Sequence, residues 1–252
     1  MTRGGRWPAN LATLANGLVG LGAILYTLAG NPRWAMLLIV AGVGFDGLDG
    51  HLARRSGLPP SAFGRVADSI SDAITFAFAP AALLVVHTDH AAIWSPWSTE
   101  GLAAATIVAG LGLARLLYFT LRGYKRRDFL GVPIPQNALA LVVVLLFLEV
   151  PGFLGIDPTV VLALTAALAV LMVVPIGFPK IRRGSPLRGP MTLTATALVV
   201  AVLTVQFRPG TGSAFYALAE GAAVVAAVGL ALYYLVGPFT VAAPVLEAAP
   251  SP

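Results

Sequence analysis

The sequence predicts an all-α, polytopic membrane protein of about eight spans, and three observations carry that prediction. The 252 residues are 58% hydrophobic and only 11% charged, with a mean hydropathy of +0.85. Soluble domains carry about 25% charged residues, so a water-soluble fold is excluded. The apolar residues fall in continuous runs near twenty long, the length that a helix needs to cross a bilayer. Because lipid offers no hydrogen bonds to the backbone, the alternative to helices is a closed barrel, whose strands would alternate apolar and polar residues. These runs do not alternate.

Taken in order, the first span covers 10–29 and follows a short polar stretch. It is long enough to cross a membrane and further spans follow, so it is not read as a cleavable signal. The second, 34–55, begins after the turn "GNP", and the third, 64–86, after "GLPP". The fourth covers 100–121; the fifth, 135–150, is short and is introduced by "GVPIP". The sixth, seventh and eighth cover 159–177, 190–206 and 214–236. Residues 1–240 read as one membrane domain, and the tail 241–252, "VAAPVLEAAPSP", as disordered. No internal repeat stands out, and the absence of cysteine excludes disulfides, thiolate catalysis and Cys-ligated metals.

The basic residues orient the chain. Eight spans put both termini on one side, and that side holds Arg3, Arg6, Arg54, Arg55, Arg65, Arg122, Lys125, Arg126, Arg127, Lys180, Arg182, Arg183 and Arg188, thirteen of the sixteen. Arg33 and Arg208 lie opposite, and Arg115 falls inside the fourth span. The bias assigns the basic side to the cytoplasm. Topology and attraction to anionic headgroups account for these loops without any further role; no nucleic-acid partner is implied.

Against this apolar background, Asp46, Asp49, Asp68 and Asp72 stand out, four of the eleven acidic residues of the chain. Residues three, four, seven and eight apart share a helix face. Asp46, Asp49, Gly50, Ala53 and Arg54 therefore form one stripe on the second span, and Gly64, Asp68 and Asp72 another on the third. The short connection makes an antiparallel hairpin, so both stripes can face each other at the membrane boundary. Carboxylates so close repel, and divalent cations resolve the repulsion. An oxygen-only ligand set suits Mg²⁺, Mn²⁺ or Ca²⁺ rather than zinc, and Mg²⁺ completes its shell with phosphate oxygens. The missing Cβ at Gly50 and Gly64 leaves room for a nucleotide or pyrophosphate against the backbone. Helix caps or surface aspartates would explain one of these residues, but not four at matching offsets, and ionisable groups in spans are functional by default.

These residues resemble the signature of the CDP-alcohol phosphatidyltransferases, D-x2-D-G-x2-A-R-x(7 or 8)-G-x3-D-x3-D. Asp46, Asp49, Gly50, Ala53, Arg54, Gly64, Asp68 and Asp72 match; the departure is nine residues, not seven or eight, between Arg54 and Gly64. The resemblance implies a six-helix core plus two C-terminal helices and an enzyme that exchanges CMP on a CDP-linked lipid for an alcohol. It implies that the four aspartates hold one or two Mg²⁺ or Mn²⁺ ions, and that Asp72 is also the general base. Gly50, Ala53, Arg54, Ser61 and Gly64 would border the nucleotide or its phosphates. "PANLATLAN" is similar to the opening of the family, so Asn10 and Thr13 would cradle the cytidine side, with capping of the first span as the other role for both. The family also implies a homodimer.

"TLANGLVGLGAI", "SISDAITFAFAP" and "ARLLYFTLRGYKRRDFLGVPIP" are similar to stretches of the phosphatidylserine (or archaetidylserine) synthase branch, over about residues 8–140. Serine is thus the expected acceptor, with Arg115, Tyr118, Thr120 and Gln136 on its side of the site. Tyr118 and Thr120 depart from the arginine and asparagine of that branch. The alternative within the same chemistry is a phosphorylated acceptor, glycerol 3-phosphate or inositol phosphate, bound by Arg115, Arg122, Lys125, Arg126 and Arg127 through charge-assisted bonds. A cation transporter is the alternative outside it; against it, no acidic residue continues a path outward, and no inverted duplication is visible. Among the remaining polar residues, His51 reads as interfacial, and His87, Asp89 and His90 as a solvated loop. Trp94, Trp97 and Tyr216 read as the outer aromatic belt, and Asn137 as part of the "GVPIPQNA" entry to the fifth span. Glu149, Asp157 and Glu220 read as loop or interface residues.

Overall fold

Apolar runs with no charged interruption fold as helices wherever they are long enough, and the structure, a computed structural model, follows that rule. It describes residues 7–58, 61–86, 99–122, 129–149, 158–181, 185–207 and 213–241. Helix α1 covers Trp7–Leu28 and α2 Pro32–Ser56. The third span is built of α3 (Ala62–Asp72), a π-helical segment (Ala73–Phe78) and α4 (Ala79–Val86). Then come α5 (Thr99–Arg122), α6 (Ile134–Glu149), α7 (Pro158–Leu171), α8 (Arg188–Gln206) and α9 (Ser213–Val236). Among the described residues, six helical stretches are long and apolar enough to cross a membrane, and Ile134–Phe147 is a shorter apolar one. The chain is therefore an integral membrane protein. The tail 242–252 lies outside the described residues.

The sixth span ends earlier than the expected 177, at Leu171. Val173 and Val174 close the last turn onto the Val170 carbonyl, and Pro175 has no N–H with which to extend it. The chain instead turns back to pair with the segment before α6. Strand β1 (Phe129–Leu130) runs antiparallel to β2 (Gly177–Phe178). Gly131 and Val132 donate to the carbonyls of Ile176 and Leu171 at 2.8 and 2.9 Å. Gly131 has φ +68°, and any Cβ there would strike the Met172 carbonyl, so the glycine of "GVPIP" is required by packing.

Gly30 (φ +73°) ends α1, and its N–H and that of Asn31 return to the carbonyls of Thr27 and Tyr26 at 3.0 and 2.8 Å. Tyr26 stacks on Trp34, which meets Phe207 edge-on, 5.9 and 5.8 Å between centroids. Tyr216, half-buried, packs against the main core. Trp94 and Trp97 fall outside the described residues. The row Leu11, Leu14, Leu18, Leu21 and Leu25 stays exposed on α1, as expected of a face in contact with lipid.

Three glycines set how closely the first helices approach. A Cβ on Gly20 would lie 2.7 Å from Thr75 Cα, and one on Gly17 would lie 3.0 Å from Ser71 Oγ. One on Gly42 of α2 would overlap Thr75 Cγ2 and sit 3.1 Å from Asn16 Oδ1. Without these Cβ atoms the backbones of α1, α2 and the third span nest together, the usual use of small residues in membrane helices. Thr75 then reaches the carbonyl of Asn16 at 2.8 Å. The π segment begins immediately after Asp72 and widens the helix ahead of Pro80, which lacks an N–H and whose ring needs space in the preceding turn.

Gly20→Ala is therefore expected to lower the thermal midpoint in detergent, at about 1–3 kcal/mol for overpacking. Gly44→Ala, on the open face of α2 where a Cβ would meet nothing within 4 Å, is expected to leave it unchanged or raise it.

Candidate functional site

The acidic stripes meet as their spacing requires. Asp46 and Asp49 lie three residues apart on α2, and Asp68 and Asp72 four apart on α3. Carboxylate oxygens of Asp46, Asp68 and Asp72 all lie within 4.8 Å of one another. Two unit charges at that 4.8 Å separation repel by roughly 3 kcal/mol at the effective dielectric of a protein surface. Three oxygen ligands at this spacing, with no histidine or cysteine among them, fit a hard divalent cation.

Asp49 stands apart from that trio and is held from α1. It is buried, 6% exposed, and its Oδ2 accepts the Thr13 hydroxyl at 2.8 Å. The Ala9 carbonyl is also near that hydroxyl, at 3.2 Å, but the single proton favours the shorter bond to a carboxylate. Thr13 and Asn10 both lie inside α1, which begins by Trp7, so neither caps the first span. Asn10 is exposed.

The sequence reasoning missed Asn16. It is fully buried, and its Nδ2 donates to Asp72 Oδ1 at 3.0 Å. An ionised carboxylate only accepts, which fixes which end of the amide faces it. Asn16 is in turn tied to the third span through its own carbonyl and Thr75. The available signal was the run "NGLVGLG", where an asparagine one turn beyond Thr13 is followed by glycines with helical spacing.

The residues expected around the nucleotide sit at the exposed end of the same hairpin. Arg54 is exposed and arches over Gly50, with Nη1 3.2 Å from where a Cβ would stand. Ala53 is exposed, and Gly57 in the left-handed region (φ +66°) ends α2. Ser61 caps α3, accepting from the Gly64 N–H at 3.0 Å, and a Cβ on Gly64 would lie 2.9 Å from that hydroxyl oxygen. His51 is exposed.

On α5, Ser69 Oγ and Thr120 Oγ1 are 2.6 Å apart, and a Cβ on Gly112 would stand 3.0 Å from the Ala77 Cβ. Eight residues forward on the third span thus answer eight residues back on α5. That antiparallel register puts Arg115 level with Ile74, just beyond Asp72. Arg115 is buried, 8% exposed, with its guanidinium 4.5 Å above the Phe119 ring. Thr120 is engaged with Ser69, and Tyr118 is exposed, edge-on to Phe119 at 5.5 Å. Gln136 lies in the first turn of α6 with Oε1 buried. Lys125, Arg126, Arg127, Arg182, Arg183, His87, Asp89, His90 and Asp157 lie outside the described residues, as do Arg3 and Arg6.

Residues 6–178 match the CDP-alcohol phosphatidyltransferase family. A protein of Methanocaldococcus jannaschii named CDP-diacylglycerol–serine O-phosphatidyltransferase is 37% identical over 134 residues, 53% of this chain and 58% of that protein. A Bacillus subtilis protein of the same name is 33% identical over 173 residues, 69% of this chain and 90% of its own length. An archaetidylserine synthase of Methanothermobacter thermautotrophicus is 31% identical over 133 residues, 52% of this chain. The chain spans 58% and 54% of the two archaeal relatives, little more than half of each.

Divalent-ion binding is checkable without turnover. Mn²⁺ titrated into the purified protein and followed by electron paramagnetic resonance is expected to bind. Asp46→Asn or Asp68→Asn is expected to weaken that binding at least tenfold.

Proposed function

The chain belongs to the CDP-alcohol phosphatidyltransferase family, and from that premise we propose that it transfers a phosphatidyl-type group from a CDP-linked lipid to the hydroxyl of serine, releasing CMP. The observation that carries the reading is the trio of Asp46, Asp68 and Asp72, whose oxygens lie within 4.8 Å at the mouth of an apolar bundle. The names of the relatives support serine as acceptor and either CDP-diacylglycerol or CDP-archaeol as donor.

Asp46, Asp49, Asp68 and Asp72 would hold one or two Mg²⁺ or Mn²⁺ ions, which when bound neutralise charge on the pyrophosphate and ease the departure of CMP. Asp72 takes the proton of the serine hydroxyl. The freed oxygen attacks the phosphorus that carries the lipid; its bond to the CMP oxygen breaks, and CMP leaves with the electron pair. Asn16 donates to one oxygen of Asp72 and so sets the direction of the other. Thr13 holds Asp49 in the same way from the first turns of α1. Gly50, Gly64 and Ala53 leave the nucleotide side uncrowded, and Arg54 and Ser61 stand at its edge. The hairpin lies at a helix boundary, so lipid tails stay in hydrocarbon while CMP leaves into water. The basic bias of the loops supports a cytoplasmic face for this site and for both termini. Residues 1–240 acting as one domain, and a homodimer, belong to the same reading.

Purified protein supplied with CDP-lipid and serine is expected to release CMP in a reaction abolished by EDTA and restored by Mg²⁺ or Mn²⁺. Release with glycerol 3-phosphate or inositol phosphate but not with serine would overturn the acceptor. Asp72→Asn is expected to cut the rate by at least 10³-fold. Asn16→Ala is expected to cut kcat by about 10–100-fold, as fits a hydrogen bond to a charged group, with the KM for CDP-lipid little changed.

A further inference from the structure

The family match stops at residue 178, and the sequence alone gives α9 no chemistry. Yet α9 delivers the buried Tyr233 and the half-buried Tyr234 to the same end of the bundle as the start of α6. Among the described residues, four buried polar atoms on these two helices have no hydrogen-bond partner: Gln136 Oε1, Asn137 Oδ1, Asn137 Nδ2 and the Tyr234 hydroxyl. Asn137 is completely buried. Buried polar groups are nearly always hydrogen-bonded, so several lacking partners on adjoining helices indicate something polar that belongs between them.

Packing brings these groups toward one another. Tyr234 borders both apolar clusters, the one containing Ile134 and Ala138 and the one containing Val132 and Phe178. Of these, Val132, Ile134 and Ala138 flank Asn137 in the chain. Tyr233 fixes the neighbouring ring: it lies 5.7 Å from Phe178 and edge-on to Tyr234 at 6.0 Å, with its hydroxyl donating to the Pro179 carbonyl at 3.4 Å. Tyr233 also lies within electrostatic range of the Arg115 guanidinium, which the register of α5 puts just beyond Asp72.

We propose that Asn137 and Tyr234, with Gln136 and Arg115, bind the amino-acid end of the acceptor, so that α9 is part of the catalytic unit. The donors and acceptors divide as a zwitterion requires. Arg115 and Asn137 Nδ2 suit an α-carboxylate, while Gln136 Oε1, Asn137 Oδ1 and the Tyr234 oxygen suit an α-ammonium. A phosphate dianion would set its oxygens against carbonyl oxygens here, so the same groups disfavour a phosphorylated acceptor. The proposal rests on the serine-transfer reading and names the residues that would recognise serine.

The test is steady-state CMP release by the full-length protein in detergent, with serine and CDP-lipid varied independently. Tyr234→Phe, which removes one oxygen, and Asn137→Leu, on a different helix, are each expected to raise the KM for serine at least tenfold. The KM for CDP-lipid should stay within about twofold. Calorimetric titration of serine into the CDP-bound protein should show the same loss of affinity. Unchanged serine KM and affinity in both variants would mean that only water occupies the space, and would overturn the pocket while leaving serine transfer intact. Absence of CMP release by the parent protein with serine would overturn both readings together.

Discussion

Carboxylates brought within 4.8 Å of one another at the edge of an apolar bundle repel, and the fold has to hold them against that repulsion. A two-helix hairpin alone would splay. What prevents it is the seat of α1 beneath both helices. Gly17, Gly20 and Gly42 remove the Cβ atoms that would keep the backbones apart, and Thr13 and Asn16 then reach Asp49 and Asp72 as donors. Close packing and carboxylate orientation are therefore one feature. Bulk added to the seam would move the donors as well as the helices.

A second consequence concerns depth. Immediately past Asp72 the third span changes pitch into a π segment, which accommodates Pro80 and points Thr75 back at α1. On the opposite side Gly112 admits Ala77, and Thr120 joins Ser69, which fixes the register of α5. The result is a buried guanidinium one step further along the bundle than Asp72. A donor lipid reaching the aspartates from the exposed end and an acceptor held from within would meet at Asp72.

Much of this was legible in the linear chain. The long apolar helices followed from run length, although α6 and α7 are shorter than a span needs, and the pairing of Asp46 with Asp49 and of Asp68 with Asp72 followed from helical offsets, which are local and period-bound. The early end of α7 was not legible, because Leu171 terminates it through a partner strand forty residues upstream. Asn16 was not legible as a donor either, since a buried amide in a first span looks the same whether it packs or binds. Nor was it legible that Ser61 caps α3 and that Thr120 joins Ser69, since the first depends on where the helix starts and the second on a neighbouring helix.

By itself the sequence determined the solvent of the fold, its all-helical class and the two acidic stripes, because hydropathy and a 3.6-residue period are written in neighbouring residues. Tertiary structure alone decided which side chains support those carboxylates. It also decided that Asn137 and Tyr234, nearly a hundred residues apart, lie on adjoining helices. Contacts of that kind depend on how helices cross and how closely their backbones approach, and no local pattern encodes either.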